Sequence, residues 1–303
     1  MLNLHKYLIF MNELRFSGHD TFHCRQQWLL KGLELIVNEG INGFNDIEKS
    51  TSVLGVGKNM VQSIQYWLKA FGLTNKSEIS TIANLLFLEN EGYDKYLEDE
   101  GSLWLLQYLI CKNEIASIFK IIFSDFFKEK ASIEFTETQI INFIQQKLKD
   151  NFQKDASVIT LKSDFKAFIN SYLILEKNFK TIEDDFNSPL IELNLIGIME
   201  RKYNGKDSIY KINKGVKNIP ISIFGYCLLD ICQNENAINF KDIRISLGSY
   251  FALSNEGLEI LVEQLCQTYS EFIYNDDAGT RQIQIKSKNQ NFGLKLLNDY
   301  YGI

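Results

Sequence analysis

A chain of 303 residues that is 45% hydrophobic, with 22 Phe, 14 Tyr and only 2 Pro, can fill two packed domains, occasionally three, and is not a disordered polymer. Its 38 acidic residues outnumber 32 basic ones for a net charge of −6, so a polyanion is not attracted globally and any nucleic-acid contact must rest on a local basic surface. The five cysteines, Cys24, Cys111, Cys227, Cys232 and Cys266, are widely spaced without a CxxC or zinc-ligand cluster, which reads most simply as a reduced cytoplasmic protein.

The opening apolar run, 1–10, is too short to cross a bilayer, and no other run approaches the required length, so no membrane partner is expected. Phe16-Ser17-Gly18-His19-Asp20-Thr21-Phe22-His23-Cys24-Arg25 holds the first constellation with chemical potential. His19, Asp20 and His23 are candidate catalytic residues, because an imidazole moves a proton near neutral pH while Arg25 can clamp a phosphate. On a helix, His19 and His23 would stand one turn apart, a spacing that also suits a metal. The competing reading is a structural knot, with Ser17 and Asp20 capping a helix that carries Trp28, Leu29 and Leu33. Cys24, between Phe22 and that helix, reads as a small core residue rather than a sulfur carrier.

Asp46 is a candidate N-cap for a short helix ending at Leu54, with Ile47 and Val53 turned inward. Gly55 and Gly57 permit a sharp reversal into a second helix over 58–71. At 100° per residue, Met60, Val61, Ile64, Trp67, Leu68 and Phe71 share one sector, while Lys58, Asn59, Gln62, Tyr66 and Lys69 lie opposite, flanked by Ser63 and Gln65. Asn and Gln amides suit adenine edges and Lys suits guanine or phosphate, so this is either the outline of a helix-turn-helix or an ordinary helical hairpin with a solvated face. Gly55-Val56-Gly57-Lys58 is not a Walker loop, since Ser52 and Asn59 occupy positions that require Gly and Ser or Thr. Arg15, Arg25 and Lys31 complete the candidate DNA-binding set.

A β-prone connection through Leu73, Ile79, Ile82 and Phe87 would make a wing. Beyond it, Glu89, Glu91, Asp94, Glu98, Asp99 and Glu100 form the densest acidic group; Glu98 and Asp99 are the candidate ligands for Mg or Mn should the protein cut DNA, although such a run is usually a solvated face. Helical periodicity then continues to about Lys149. After a polar bridge at 150–157, Ser163 and Asp164 are candidate caps for a helix bearing Phe165, Phe168 and Tyr172. A short helix at 189–193 and strands at 196–202 and 208–213 follow, with Arg201, Lys202 and Lys206 at the turn as possible phosphate contacts. The same order recurs with helices at 223–232, 240–247 and 254–269 and strands at 272–274 and 282–286. The expected architecture is mainly α (α+β): a winged helix-turn-helix over 12–109, a helical connector over 110–157, and a C-terminal winged-helix-like region over 158–303 holding one or two units.

The motif at 16–25, with Trp28-Leu29 and Lys31-Gly32, the run Leu54-Gly55-Val56-Gly57-Lys58-Asn59-Met60-Val61, the stretches 92–99 and 101–106, and Ser188-Pro189-Leu190-Ile191-Glu192-Leu193 together resemble the SspB subunits of bacterial single-strand DNA phosphorothioation systems. That family was first catalogued as a domain of unknown function beside genes resembling phosphoadenosine-phosphosulfate reductases. The resemblance implies a DNA-binding, DNA-nicking component of anti-phage modification, with DNA, an ATPase and a reductase-like sulfur-transfer subunit as partners. The residues alone leave a non-enzymatic winged-helix regulator and a scaffold subunit as alternatives.

Overall fold

The computed structural model describes residues 14–302 apart from 76–77, 90–91, 129–131, 175–187, 202–206, 234, 278–279 and 287–289. The chain is mainly helical, with two three-stranded sheets among the described residues. None of the described helices is long and apolar enough to cross a membrane. The turn with Lys202 and Lys206, and the opening apolar run, lie outside the described residues.

Three helices make the first unit: α1 (Gln26–Glu39), α2 (Ile47–Leu54) and α3 (Lys58–Ala70), each packed on the other two. Asp46 caps α2 as expected, its carboxylate accepting the Lys49 N–H at 3.0 Å, and Gly55 ends it at φ 66 in the left-handed region that glycine enters without strain. Val61, Ile64, Trp67 and Leu68 are fully covered, each burial contributing roughly 1.5–3 kcal/mol. Gly32 lies where an added Cβ would come within 2.8 Å of Ile64 and Leu68, so α1 and α3 approach closely. Val53, expected inward, is 54% exposed; Ser50 and Leu54 face the core from that short helix instead.

Among the described residues, the stretch expected as a wing contains a single bridge, Thr74 to Ile79. Ile82 and Phe87 belong instead to α4 (Thr81–Ala83, continuing as a π turn over Asn84–Leu88), whose start is capped by Ser80. Next, α5 (Glu100–Asn113) is buried without a break from Gly101 to Cys111, the mark of a helix enclosed on every side. It starts within 12–109 and ends within 110–157. Its Gln107 donates to Tyr250 O at 2.7 Å and accepts from Tyr172 Oη at 2.6 Å, fastening the later units to one central rod. The short α6 (Ser117–Lys120) follows, running on as a π turn through Asp125.

The second unit is β1 (Glu134–Phe135), α7 (Glu137–Phe152), α8 (Val158–Tyr172), β2 (Ile196–Glu200) and β3 (Ile209–Ile212), with sheet order β1-β3-β2, all antiparallel. Thus 110–157 supplies a strand and a helix to this sheet rather than only connecting. Thr136 and Gln139 form a reciprocal capping box on α7. Asp164 does not cap α8, as had been expected; the helix starts at Val158, leaving Asp164 in its middle, facing inward. The third unit repeats the connectivity: α9 (Ile221–Cys232), β4 (Ala237–Asn239), α10 (Phe240–Ile243), α11 (Asn255–Thr268), β5 (Phe272–Asp277) and β6 (Thr280–Ile285), in sheet order β4-β6-β5. A last helix, α12 (Gln290–Tyr301), packs on α9 and returns to α5, where Tyr300 Oη donates to Asp99 at 2.8 Å.

Candidate nucleic-acid interface

Residues 14–25 form no helix. His19 and His23 therefore do not stand on one helical face, and Ser17 and Asp20 cap nothing: α1 begins after Arg25 without a side-chain cap. The segment is a strap that turns sharply, with Ser17, Gly18, Asp20 and Thr21 all at positive φ. Such angles cost a non-glycine residue on the order of 1–3 kcal/mol and persist only where neighbours over-determine them. Here they do. The Ser17 N–H donates to both Asp164 carboxylate oxygens at 3.0 Å, and His19 Nε2 lies 3.0 Å from Asp164 Oδ1, with both side chains buried. The His19 ring stacks on Trp67, 27° from parallel, and meets the Tyr66 ring edge-on. Trp67 Nε1–H donates to Phe22 O at 3.1 Å, and the Phe22 N–H closes the turn on His19 O. Gly18 fits because a Cβ there would come within 2.8 Å of the Tyr66 ring, and its φ of 101 favours glycine as well.

The strap is thus a latch between α3 and α8. Of the candidate catalytic residues, His19 is enclosed in this latch and its Nδ1 has no hydrogen-bond partner, whereas Asp20 and His23 are half-buried. Cys24 is buried, and desolvation pushes its thiol well above the ordinary range, which keeps it a protonated core group.

On α3, Lys58, Asn59 and Gln62 are exposed and share the first two turns, while Gln65, Tyr66 and Lys69 are half-buried. Ser63 departs from the expected flank. It is buried, because α3 is covered by α5 as well as by α1 and α2, and the enclosed sector extends over Ser63 and Ala70. Arg15 and Lys31 are exposed; Arg25 is half-buried with its guanidinium 5.3 Å from the centre of the Trp28 ring.

Two of the acidic group, Asp94 and Asp99, serve as backbone caps. Asp94 is buried and accepts the N–H groups of Glu98 at 2.8 Å and Asp99 at 3.2 Å, while Asp99 caps α5 through Ser102 and accepts from Tyr300. Glu89, Glu98 and Glu100 are exposed among the described members, and no three His, Cys, Asp or Glu side chains converge as metal ligands among the described residues. Of the two candidate metal ligands, Glu98 is exposed, and Asp99 uses Oδ1 for the helix cap and the Tyr300 hydrogen bond.

A feature absent from the sequence reading is a groove of about 650 Å³ beside α8, lined by Thr21 of the strap, Lys162, Ser163 and Lys166 of α8, and Tyr210 of β3. Its signal was available in principle: in the register set by buried Leu161, Phe165 and Phe168, the two lysines point outward. The third unit carries a smaller hollow of about 460 Å³ in the corresponding place, bordered by Asn255, Glu259 and Arg281.

Three packed units around one buried helix, with a strained strap across two of them, define a family. The family model described as a protein of unknown function, DUF4007, matches residues 16–301, and the chain belongs to that family. The fold is shared with solved structures of SspB: one described as an SspB crystal structure and one as a magnesium ion-bound SspB crystal structure, each 22% identical over 96% of this chain and 88% of theirs, with TM-scores of 0.79 and 0.80. Comparison with curated proteins finds no match.

Proposed function

We propose that this protein is a DNA-binding component of a phosphorothioation-type DNA modification system directed against phage, working beside ATPase and reductase-like sulfur-transfer subunits. The observation that carries the reading is the α2–Gly55–α3 reversal, which leaves Lys58, Asn59 and Gln62 outward at the start of a rigidly backed helix. Amides can bond adenine N6 and N7 while Lys58 reaches a phosphate or guanine. The second and third units, with the strand order in which the last strand lies between the other two, are read as winged-helix-like modules. The SspB fold and the sequence motifs support the assignment to such a system.

Nicking is the further step that the family resemblance implies. Its candidate groups in this chain are Asp20 and His23, which reach the surface beside Arg25, while His19 positions the turn. The test is gel-shift binding to duplex DNA together with a supercoiled-plasmid assay in Mg²⁺ or Mn²⁺. Loss of binding in Lys58→Ala/Gln62→Ala supports the interface, and absence of wild-type binding at low salt removes the reading. Open circles that vanish in Asp20→Ala or His23→Ala would assign nicking to the strap; none with wild type, alone or with its partners, would leave a binding subunit.

A further inference from the structure

We infer that α8 makes a second contact with the same duplex, Lys162 and Lys166 neutralising phosphates while α3 engages the major groove. The inference rests on the DNA-binding reading above. Ile159, Lys162 and Lys166 stand on successive turns of α8, with Ile159 82% exposed, a stripe that the fold itself does not use. Neither lysine makes an ion pair among the described residues. The groove's carboxylates, Glu137 and Asp207, belong to its other wall. Asp207 accepts from the backbone and hydroxyl of Thr138, and both carboxylates act on Tyr210, whose phenol is raised first by burial and then by these charges. The lysine side therefore presents positive charge to an approaching phosphate ridge, and an exposed Ile suits the apolar face of a sugar or a thymine methyl.

The latch fixes the two helices relative to each other. Asp164 of α8 holds Ser17 and His19, and His19 rests on Trp67 of α3. Two helices fixed in this way bind a common ligand without the entropic cost of ordering them. A contact of this kind adds affinity through counterion release and carries no sequence preference of its own.

The experiment is fluorescence anisotropy of a labelled duplex and of its single strand with the full chain, from about 50 to about 200 mM salt, where phosphate contacts dominate the salt response. The proteins compared are wild type, Lys162→Ala/Lys166→Ala, Lys58→Ala/Gln62→Ala, and the control Lys241→Ala/Lys295→Ala in exposed positions of the third unit and α12. The α8 variant should lower the log–log salt slope on duplex by about 2, with roughly 0.9 per phosphate contact, and weaken binding about ten-fold or more. The control should match wild type, and thermal melting should be unchanged because both α8 lysines are exposed. A wild-type slope and affinity in Lys162→Ala/Lys166→Ala, with Lys58→Ala/Gln62→Ala still impaired, overturns the second contact and leaves the DNA reading standing. A loss seen only on single strand, or equally in the control, also overturns it. A wild type that binds no duplex at the lowest salt removes both proposals together.

Discussion

The second and third units share a strand order and a connectivity, yet the helix before each hairpin shows opposite charge to solvent. On α8 the outward residues are Lys162 and Lys166; on α11 they include Glu256 and Glu263, with Glu259 half-exposed. The flanking hollows do not follow that contrast, since the third unit's is bordered by Lys241, Arg244 and Arg281 as well as Asp242 and Glu259. In the third unit Arg281 is already engaged, its guanidinium 4.2 Å from the centre of the Phe240 ring, one nitrogen donating to Glu259 at 2.9 Å and another to Tyr274 Oη. Apolar periodicity sets the connectivity and is common to both, whereas the outward face contributes little to folding and is free to diverge. Both units are fastened to the core, the second through Tyr172 on Gln107 and the third through Tyr300 on Asp99, Tyr301 against Ser102 at 2.8 Å and the Tyr250 carbonyl on Gln107. Like folds therefore carry unlike outward charge, and α8 rather than α11 has the face that suits a polyanion.

The most severe way to break the contrast is to remove the carboxylate that each helix contributes. Asp164→Ala leaves His19 Nε2 without its buried partner, removes the acceptor of the Ser17 N–H, and should destabilise by about 3–5 kcal/mol. Glu259→Ala, which loses a partly exposed ion pair, should cost under about 1 kcal/mol. Denaturant titrations of both variants check this, and similar midpoints would mean that the strap is not a latch. Next in size, Gly18→Ala forces a side chain onto Tyr66 and into a left-handed backbone, at a cost of roughly 1–3 kcal/mol. Calorimetry should show a lowered Tm, and an unchanged one would show that the turn relaxes freely.

Asn59→Ala should leave the fold intact and reduce discrimination between duplex sequences by roughly 1–3 kcal/mol. Competition binding against a randomised duplex pool measures it, and undiminished preference would remove Asn59 from base readout. The smallest expected effect comes from Glu259→Gln, which removes one acidic charge beside Arg281 and moves α11 toward α8 in charge. A gain in duplex affinity of about two-fold is expected from the removed acidic charge, on the scale of a few tenths of a kcal/mol for an exposed charge. A gain as large as the Lys162→Ala/Lys166→Ala loss would mean that α11 also faces DNA.

Much of this architecture was legible from local pattern. Asp46, Gly55 and the 58–71 periodicity marked α2 and α3 because capping, a left-handed turn and one apolar face act within a few residues of sequence. The strands at 196–200 and 209–212 were legible for the same reason. What failed was long-range. Asp164 read as a cap because a carboxylate before Phe165 is a common helix start, and only Ser17 and His19, remote in sequence, reveal why it lies inside. Val158, Ile159 and Thr160 hid the true start of α8, since β-branched residues are weak helix formers. Ser63 lost its exposure to α5, a partner that periodicity alone does not name. In the candidate site, Lys58, Asn59 and Gln62 were accessible to sequence reading, whereas Lys162 and Lys166 required the register of a helix whose start was misplaced.

The most direct test of the proposed interface is hydrogen–deuterium exchange of the full chain with and without duplex DNA at low salt. Protection on binding should appear at the start of α3 and along the outward turns of α8, and should be absent from α11. Protection concentrated on α11, or no change at α3 under conditions where DNA is bound, would contradict the account.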